Sequence, residues 1–524
     1  MSDDNYWEAL RILRTLPQNK ELIKKVIEDG GWYASRQIPE FIDDLKRADI
    51  TLDDIDGLSI IHVSGTKGKG SVCAFCESIL RAHGIRTGFY SSPHLLEIRE
   101  RFRINGVPLT RDDYSKYFFD VYRKLESSKD QFNGSMPFVA TFQTIMAFHV
   151  FLQEKVEAVV LEVNVGGAYD VTNVVRDPVV TGINLLDLDH TDTLGDTLAK
   201  IAWHKAGICK PGRPAFTGPQ PKEAMDALVA RARELHAPIQ LVPDLKDYDW
   251  QGQPMQLGLA GVHQQNNASL AIQLCKAWIE ERNPSLSVMT PDSGSSKTHD
   301  DTLDDNIPTA PAFKLPDTFI YGLRNCHWPG RTQTIKRENS TYYLDGAHTR
   351  ASIEACVKWF IQASAAEELS LKNAVARVLV FNCTRGRDEK VFIRNLMDCN
   401  FSAVAFSPNI IDAQCEEDLK DELIHIETIE EGREVCKANR NTWLTLEEQL
   451  SRETQSVSFE CVMHALRWAS CGKDSLMPKP RSEDPTPPQC IMEADHVQVL
   501  VTGSLHLVAT VIKILDTHSM TNGK

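Results

Sequence analysis

The chain has 524 residues, past the length at which one hydrophobic core keeps growing, so two domains are the default expectation. With 42% hydrophobic and 25% charged residues it reads as an ordinary globular protein, and a net charge of −15 argues against a general nucleic-acid binder or a basic membrane-facing surface. Thirteen cysteines lack metal-ligand spacing, the start from Met1 to Asn5 is acidic, and no apolar run reaches the roughly 20 residues of a membrane span. A reducing, cytoplasmic setting is therefore expected, with a mitochondrial form only if a longer precursor exists.

Apolar positions three or four apart, such as Leu10, Leu13, Leu16, Ile23 and Val26, predict helices over residues 6–50. Short apolar runs follow, each closed by a turn signal: Leu58 to Val63, Thr87 to Tyr90, Ala158 to Val163 and Val179 to Leu186. Helical patterns such as Val72 to His83 and Thr144 to Gln153 lie between them, and this alternation implies βαβ units and a parallel sheet. Residues 283–316, rich in Ser, Asp, Thr and Pro, predict a flexible insertion or linker. The strand pattern then returns in Thr341 to Leu344, Arg377 to Asn382, Ala403 to Ser407 and Val497 to Thr502, interrupted by a polar stretch at 472–489 expected to be a flexible loop. The fold class expected is α/β. A P-loop-type, mostly parallel sheet with N-terminal helices occupies 1–316, and a smaller Rossmann-like α/β domain occupies 317–524.

Ser64-Gly65-Thr66-Lys67-Gly68-Lys69-Gly70-Ser71 follows an apolar strand and opens a helix, the context in which glycine-rich backbone approaches phosphate oxygens. Lys69 would supply a point charge, although Gly70 separates it from the hydroxyl residue, unlike the common spacing. A solvated surface turn is the bland alternative. Other strands also end in groups suited to a cation: Ser91-Ser92-Pro93-His94, Glu162, and Asp187-Leu188-Asp189-His190. Ligands in parallel sheets gather at such carboxyl ends, and a hydroxyl, a carboxylate and an imidazole would suit Mg²⁺.

The phosphate loop, the Ser-Ser-Pro-His segment, Leu161-Glu162-Val163 leading to Gly166-Gly167-Ala168-Tyr169-Asp170, and Asp189-His190-Thr191 together resemble the folylpolyglutamate synthases of the Mur-ligase superfamily. Gly261 to Ala268, Trp328-Pro329-Gly330-Arg331-Thr332-Gln333, Asp345-Gly346-Ala347-His348-Thr349 and Val501 to Leu507 extend the resemblance over roughly residues 6–515. It implies an ATP-dependent ligase that adds L-glutamate to the γ-carboxylate of tetrahydrofolates through an acyl phosphate, with Mg²⁺, two ions expected, held by Ser92, Glu162 and His190.

The resemblance further assigns nucleotide contacts to Gly65, Thr66, Gly68, Lys69, Gly70, Ser71, Asn267, Arg331 and Asp345. It gives catalytic roles to Lys69, Lys205 and His348, makes Lys205 a candidate for carbamylation, and admits a monovalent cation. A monomer without nucleic-acid or integral membrane partners is expected, with folate near the segment after Ser92 and near Gly31-Trp32-Tyr33. Dihydrofolate synthase activity, alone or combined, and a catalytically silent nucleotide- or folate-binding homologue are the alternatives. Asn164 and Asp187 stand where the family pattern has glycine, which bears on activity rather than on fold.

Overall fold

The structure is a computed structural model that describes residues 2–28, 32–132, 135–286, 307–371, 373–383, 388–411, 429–481 and 484–521. It divides into two compact units. The first comprises Met1–His94, Arg99–Gly258 and Gln264–His327; the second comprises Leu95–Ile98, Leu259–His263 and Trp328–Lys524.

The first unit is built on eight strands: β1 (Ile60–Ser64), β2 (Thr87–Tyr90), β3 (Phe102–Ile104), β4 (Val107–Pro108), β5 (Ala158–Glu162), β6 (Val180–Ile183), β7 (Ala215–Thr217) and β8 (Ile239–Leu241). They lie in the order β4-β3-β2-β5-β1-β6-β7-β8, parallel except at β2/β3 and β3/β4. β1, β2, β5 and β6 are buried along their whole length, as expected of parallel strands covered on both faces by helices. The predicted strand Val179 to Leu186 is shorter than expected. Pairing stops at Ile183, and the following residues turn away to bond the loop after β1.

N-terminal helices Ser2–Thr15, Asn19–Glu28 and Trp32–Arg47 occupy the stretch read as helical. Gly31 lies outside the described residues, and the side chains of Trp32 and Tyr33 are likewise not described. Helix Lys69–Ala82 follows β1 and is buried from Ser71 to Leu80. Helix Asp317–Arg324 packs on it so closely that a Cβ on Gly322 would lie 2.6 Å from Ile79 Cα, and Ser78 Oγ donates to Gly322 O at 2.7 Å. That packing keeps residues 317–327 with the first unit, so the division falls at His327/Trp328 rather than at the 316/317 boundary read from sequence.

The second unit carries β9 (Gln333–Lys336), β10 (Ser340–Leu344), β11 (Val375–Phe381), β12 (Ala403–Phe406), β13 (Gln455–Ser458) and β14 (His496–Thr502). Their order is β13-β12-β11-β14-β10-β9, parallel except for β9. β10 and β14 are wholly buried, with helices Arg350–Leu371, Val462–Ser470 and Leu505–Thr521 contributing to the cores on the sheet's faces.

Both polar stretches read as flexible contain fixed points. In 283–316, residues 287–306 lie outside the described residues. Ala310, Phe313 and Leu315 are buried, and Thr309 and Lys314 bridge to Leu241 and Asp249. In 472–489, where 482 and 483 are not described, Met477 joins the core, Tyr342 Oη donates to Asp474 Oδ2 at 2.9 Å, and buried Arg467 donates to Asp484 at 3.1 Å. A few buried side chains anchor segments whose average composition is that of a loop.

Candidate active site

The loop after β1 is shaped by two glycines in left-handed backbone. Gly65 has φ +146° and Gly68 φ +74°. A Cβ on Gly68 would lie 2.4 Å from Asn184 Nδ2 and 2.6 Å from Asn267 Oδ1, and one on Gly65 would lie 2.9 Å from Asn184 Cβ. Any side chain at either position would therefore push the loop off its support. Gly68 is the N-cap of helix Lys69–Ala82 and provides no side-chain cap. The helices starting after Thr51, Thr110 and Thr197 all have one. An uncapped first turn leaves N–H groups and the positive dipole end to an incoming anion.

The same loop is tied along its length to the segment after β6. Thr66 N–H and Lys67 N–H donate to Leu185 O at 2.9 and 3.1 Å. Thr66 Oγ1 donates to Asp187 O and accepts from Asp187 N–H, both at 3.1 Å. Asn184 Nδ2 donates to Lys67 O at 2.8 Å and to Asn267 Oδ1 at 2.7 Å, while Asn267 Nδ2 donates to Gln264 Oε1 at 2.8 Å. Lys67 Nζ pairs with Asp189 Oδ2 at 2.8 Å. Burial works to raise the Asp189 carboxyl, but the Lys67 charge and hydrogen bond prevail and hold it at about 2.

Lys69 Nζ donates to Gly65 O at 3.1 Å, and Lys205 Nζ donates to the same carbonyl at 2.9 Å. Lys205 lies near the end of helix Leu198–Ala206, which Thr197 caps by accepting from Lys200 N–H; Ala168 N–H fastens it by donating to His204 O at 2.7 Å. The Lys205 side chain is buried, and burial followed by the charge of Lys69 holds its ammonium well below the usual 10.5.

Among the metal candidates, Ser92 N–H donates to Glu162 Oε2 at 3.2 Å, which brings these two residues together, and Glu162 is buried. His190 has left-handed backbone, φ 51°, and caps the short helix Thr191–Leu194. Desolvation lowers its imidazole; Asp189 opposes this, whereas Lys205, Lys69 and Lys67 reinforce it. Among the described residues no group of three or more His, Cys, Asp or Glu gathers in the manner of a metal cage, and the expected set of one hydroxyl, one carboxylate and one imidazole is not of that type. Asn164 and Asp187 are not among the residues with positive φ, so neither is forced into backbone that only glycine accepts.

In the second unit, Asp345 follows β10 as a buried carboxylate. Its Oδ2 accepts from Thr332 N–H at 2.8 Å and its Oδ1 from Ala347 N–H at 3.0 Å. Burial pushes its carboxyl up, while Arg331, the Thr332 N–H, His263 and the Ala347 N–H pull against it; the net direction is upward. Arg331 Nη1 donates to Gly330 O at 3.2 Å and stands 2.8 Å from where a Gly346 Cβ would be. His348 Nδ1–H donates to Gly346 O at 2.8 Å, and Ser352 Oγ accepts from His348 N–H at 3.1 Å.

The sequence reading passed over Asn184 and Gln220. Gln220 Nε2 donates to Asn184 O at 3.0 Å and Leu186 N–H donates to Gln220 Oε1 at 2.8 Å, so the pair holds the segment that supports the loop. Asn184 sits inside the apolar run Val179 to Leu186, with Leu185 and Leu186 after it, so the signal that pointed to Glu162 was absent there.

No family model matches the chain. Curated proteins do: folylpolyglutamate synthase, mitochondrial, of Bos taurus is 40% identical over 555 residues, covering 98% of this chain and 93% of that one. Its counterpart of Homo sapiens is 40% identical over 551 residues, covering 98% and 92%. Among solved structures, Mycobacterium tuberculosis folylpolyglutamate synthase complexed with ADP superposes with a TM-score of 0.68 at 19% identity, covering 98% of this chain and 99% of that one. The structural likeness defines the fold: two mostly parallel α/β sheets, of eight and six strands. The sequence likeness is narrower and decides the family. The chain belongs to the folylpolyglutamate synthases, ATP-dependent ligases that add glutamate to folates.

Proposed function

We propose that this chain joins L-glutamate to the terminal γ-carboxylate of tetrahydrofolates, with ATP as phosphoryl donor and Mg²⁺ as companion metal. The observation that carries this reading is the first turn of helix Lys69–Ala82, with its left-handed glycine cap, no side-chain acceptor and Lys69 at its start. The ADP complex of the mycobacterial relative supports a nucleotide site in this fold. Gly65, Thr66, Gly68, Lys69, Gly70 and Ser71 would meet the phosphates, with Asn267, Arg331 and Asp345 contributing to nucleotide binding. In this reading the first unit is the ATP-binding domain and the second the glutamate-ligase domain.

The donors fit a small, hard cation. Ser92, the buried Glu162 carboxylate and a His190 imidazole held toward neutrality are few enough for Mg²⁺ to keep waters and phosphate oxygens. Bound there, Mg²⁺ would offset negative charge on the β- and γ-phosphates. A second Mg²⁺ and a monovalent cation belong to the same proposal.

A carboxylate resists an amine at neutral pH until one of its oxygens becomes a leaving group. Transfer of the γ-phosphoryl group to the folate carboxylate gives ADP and an acyl phosphate. The glutamate nitrogen then attacks the carbonyl carbon, and the tetrahedral adduct expels phosphate and loses a proton to leave the amide. The protein's part is positioning and charge. Lys69 exchanges the Gly65 carbonyl for a phosphoryl oxygen. Lys205, its ammonium destabilised by burial, is suited to form a carbamate with CO₂, which would exchange a cation for an anion. His348, its Nδ1–H held by Gly346 O, is the catalytic group proposed for the second unit.

The test is incorporation of labelled glutamate into tetrahydrofolate with ATP and Mg²⁺, beside a dihydropteroate control. Label on tetrahydrofolate that is lost in Lys69→Ala supports the reading. Label on dihydropteroate shifts it to the synthase reaction, and nucleotide binding without turnover on either marks a silent homologue. A monomer acting in the cytoplasm completes the proposal, to be checked by sedimentation and cell fractionation; among the described residues no helix is long and apolar enough to cross a membrane.

A further inference from the structure

Two lysines stand in the phosphate loop, and their surroundings differ. Lys69 donates to a carbonyl of its own loop. Lys67 is held at three points by the segment after β6: its N–H donates to Leu185 O, its carbonyl accepts from Asn184 Nδ2, and its ammonium pairs with Asp189. The Asp189 carboxylate has two partners. Oδ2 takes Lys67 Nζ at 2.8 Å, and Oδ1 takes the backbone N–H of His190 at 3.1 Å. His190 needs that hold, because its backbone is left-handed at φ 51°, a region sparsely populated by residues other than glycine.

We propose that Lys67 is a positioning residue: through Asp189 it fixes the backbone of His190 against the phosphate loop, and it does not itself bind phosphate. This rests on the reading of His190 as a metal donor and of the loop as the nucleotide site. The carboxylate between them transmits position in both directions, so a nucleotide that orders the loop also orders the metal donor. Lys69 supplies the charge, and Lys67 joins the two ligand-bearing segments. Partners that orient a metal ligand without touching the metal change affinity or activity by roughly 10–100-fold when removed.

The experiment uses the full chain with Mn²⁺ in place of Mg²⁺ and a non-hydrolysable β,γ-methylene analogue of ATP. Analogue affinity is measured in EDTA, and Mn²⁺ affinity is then measured by electron paramagnetic resonance with the analogue bound. Lys67→Met and Asp189→Asn are each expected to leave metal-free analogue affinity within about twofold and to weaken Mn²⁺ binding on the order of tenfold. The double variant should be no weaker than either single, since both break one link. Lys67→Arg should restore Mn²⁺ binding. If Lys67→Met weakens metal-free analogue binding as much as Lys69→Ala, Lys67 is a phosphate ligand and the inference is overturned. Unchanged Mn²⁺ affinity, or single effects that multiply in the double variant, overturns it as well. A wild-type chain that binds neither analogue nor Mn²⁺ removes the underlying functional reading, and the inference with it.

Discussion

The phosphate loop after β1 and the Asp345 turn after β10 occupy equivalent places, each at the carboxyl end of a buried parallel strand, yet their polar groups are used in opposite ways. In the loop, Lys69 and Lys205 both lean on one carbonyl, Gly65 O, and the first helical turn lacks a side-chain cap. In the proposed role the Lys69 contact gives way to a phosphate oxygen. In the turn, the Asp345 carboxylate is already matched by two backbone N–H groups and buried. The two lysines each make one contact to that carbonyl, whereas the carboxylate of the turn is held twice. Burial alone therefore does not say how a group would meet a nucleotide: Asp345, in its proposed role, would do so with two backbone donors already in place.

The largest test of that contrast is Lys69→Ala, expected to lower kcat about 10²–10³-fold, the scale for removing one preorganised charge-stabilising group, with little change in melting temperature. Steady-state kinetics beside calorimetry reads both. Asp345→Ala should do the reverse in kind: two buried N–H groups lose their acceptor, at about 1–3 kcal/mol each, so denaturant unfolding should show a clear loss of stability. If Asp345→Ala left stability intact, the turn would belong with the exchangeable class.

A third test asks whether the first unit also holds groups that keep their partners. His62 in β1 is fully buried against Thr172 Oγ1 at 3.0 Å, and burial, aided by Lys210, holds its imidazole down to about 3. The unfolded chain takes up that proton near 6.5, so the contribution of neutral His62 is fully present above that pH and declines as pH falls toward 3. The slope should approach about 1.4 kcal/mol per pH unit, and His62→Gln should flatten it. Urea midpoints between pH 7 and 4 measure this. The smallest expected effect is Tyr342→Phe, which removes a donor from the buried Asp474 carboxylate and should cost about 1.5–3 kcal/mol.

Much of this was legible in the chain because parallel strands with both faces covered are plain apolar runs. β2 was read with the bounds it has, and β1, β5, β10, β11, β12 and β14 within two residues at either end. β3, β4, β7, β8, β9 and β13 escaped because they have two to four residues, several of them polar, and mostly lie at or near sheet edges. In the loop, the glycines were readable and their backing was not. Asn184 and Asn267 fill the space a side chain at Gly68 would need, and no local pattern links residues so far apart. Asp474 and Met477 were hidden by composition, since two well-placed side chains outweigh a polar average.

That backing also sets a schedule for synthesis. The ribosome delivers Gly68 long before Asn267, and at roughly 5–20 residues per second the interval is on the order of ten to forty seconds. Until Asn267 emerges, the glycine cap of helix Lys69–Ala82 lacks one of the two side chains packed against it. A nascent chain truncated before that point should carry the loop's residues without a finished cradle, so nucleotide capture by the loop, as proposed above, would be a late event in its biogenesis.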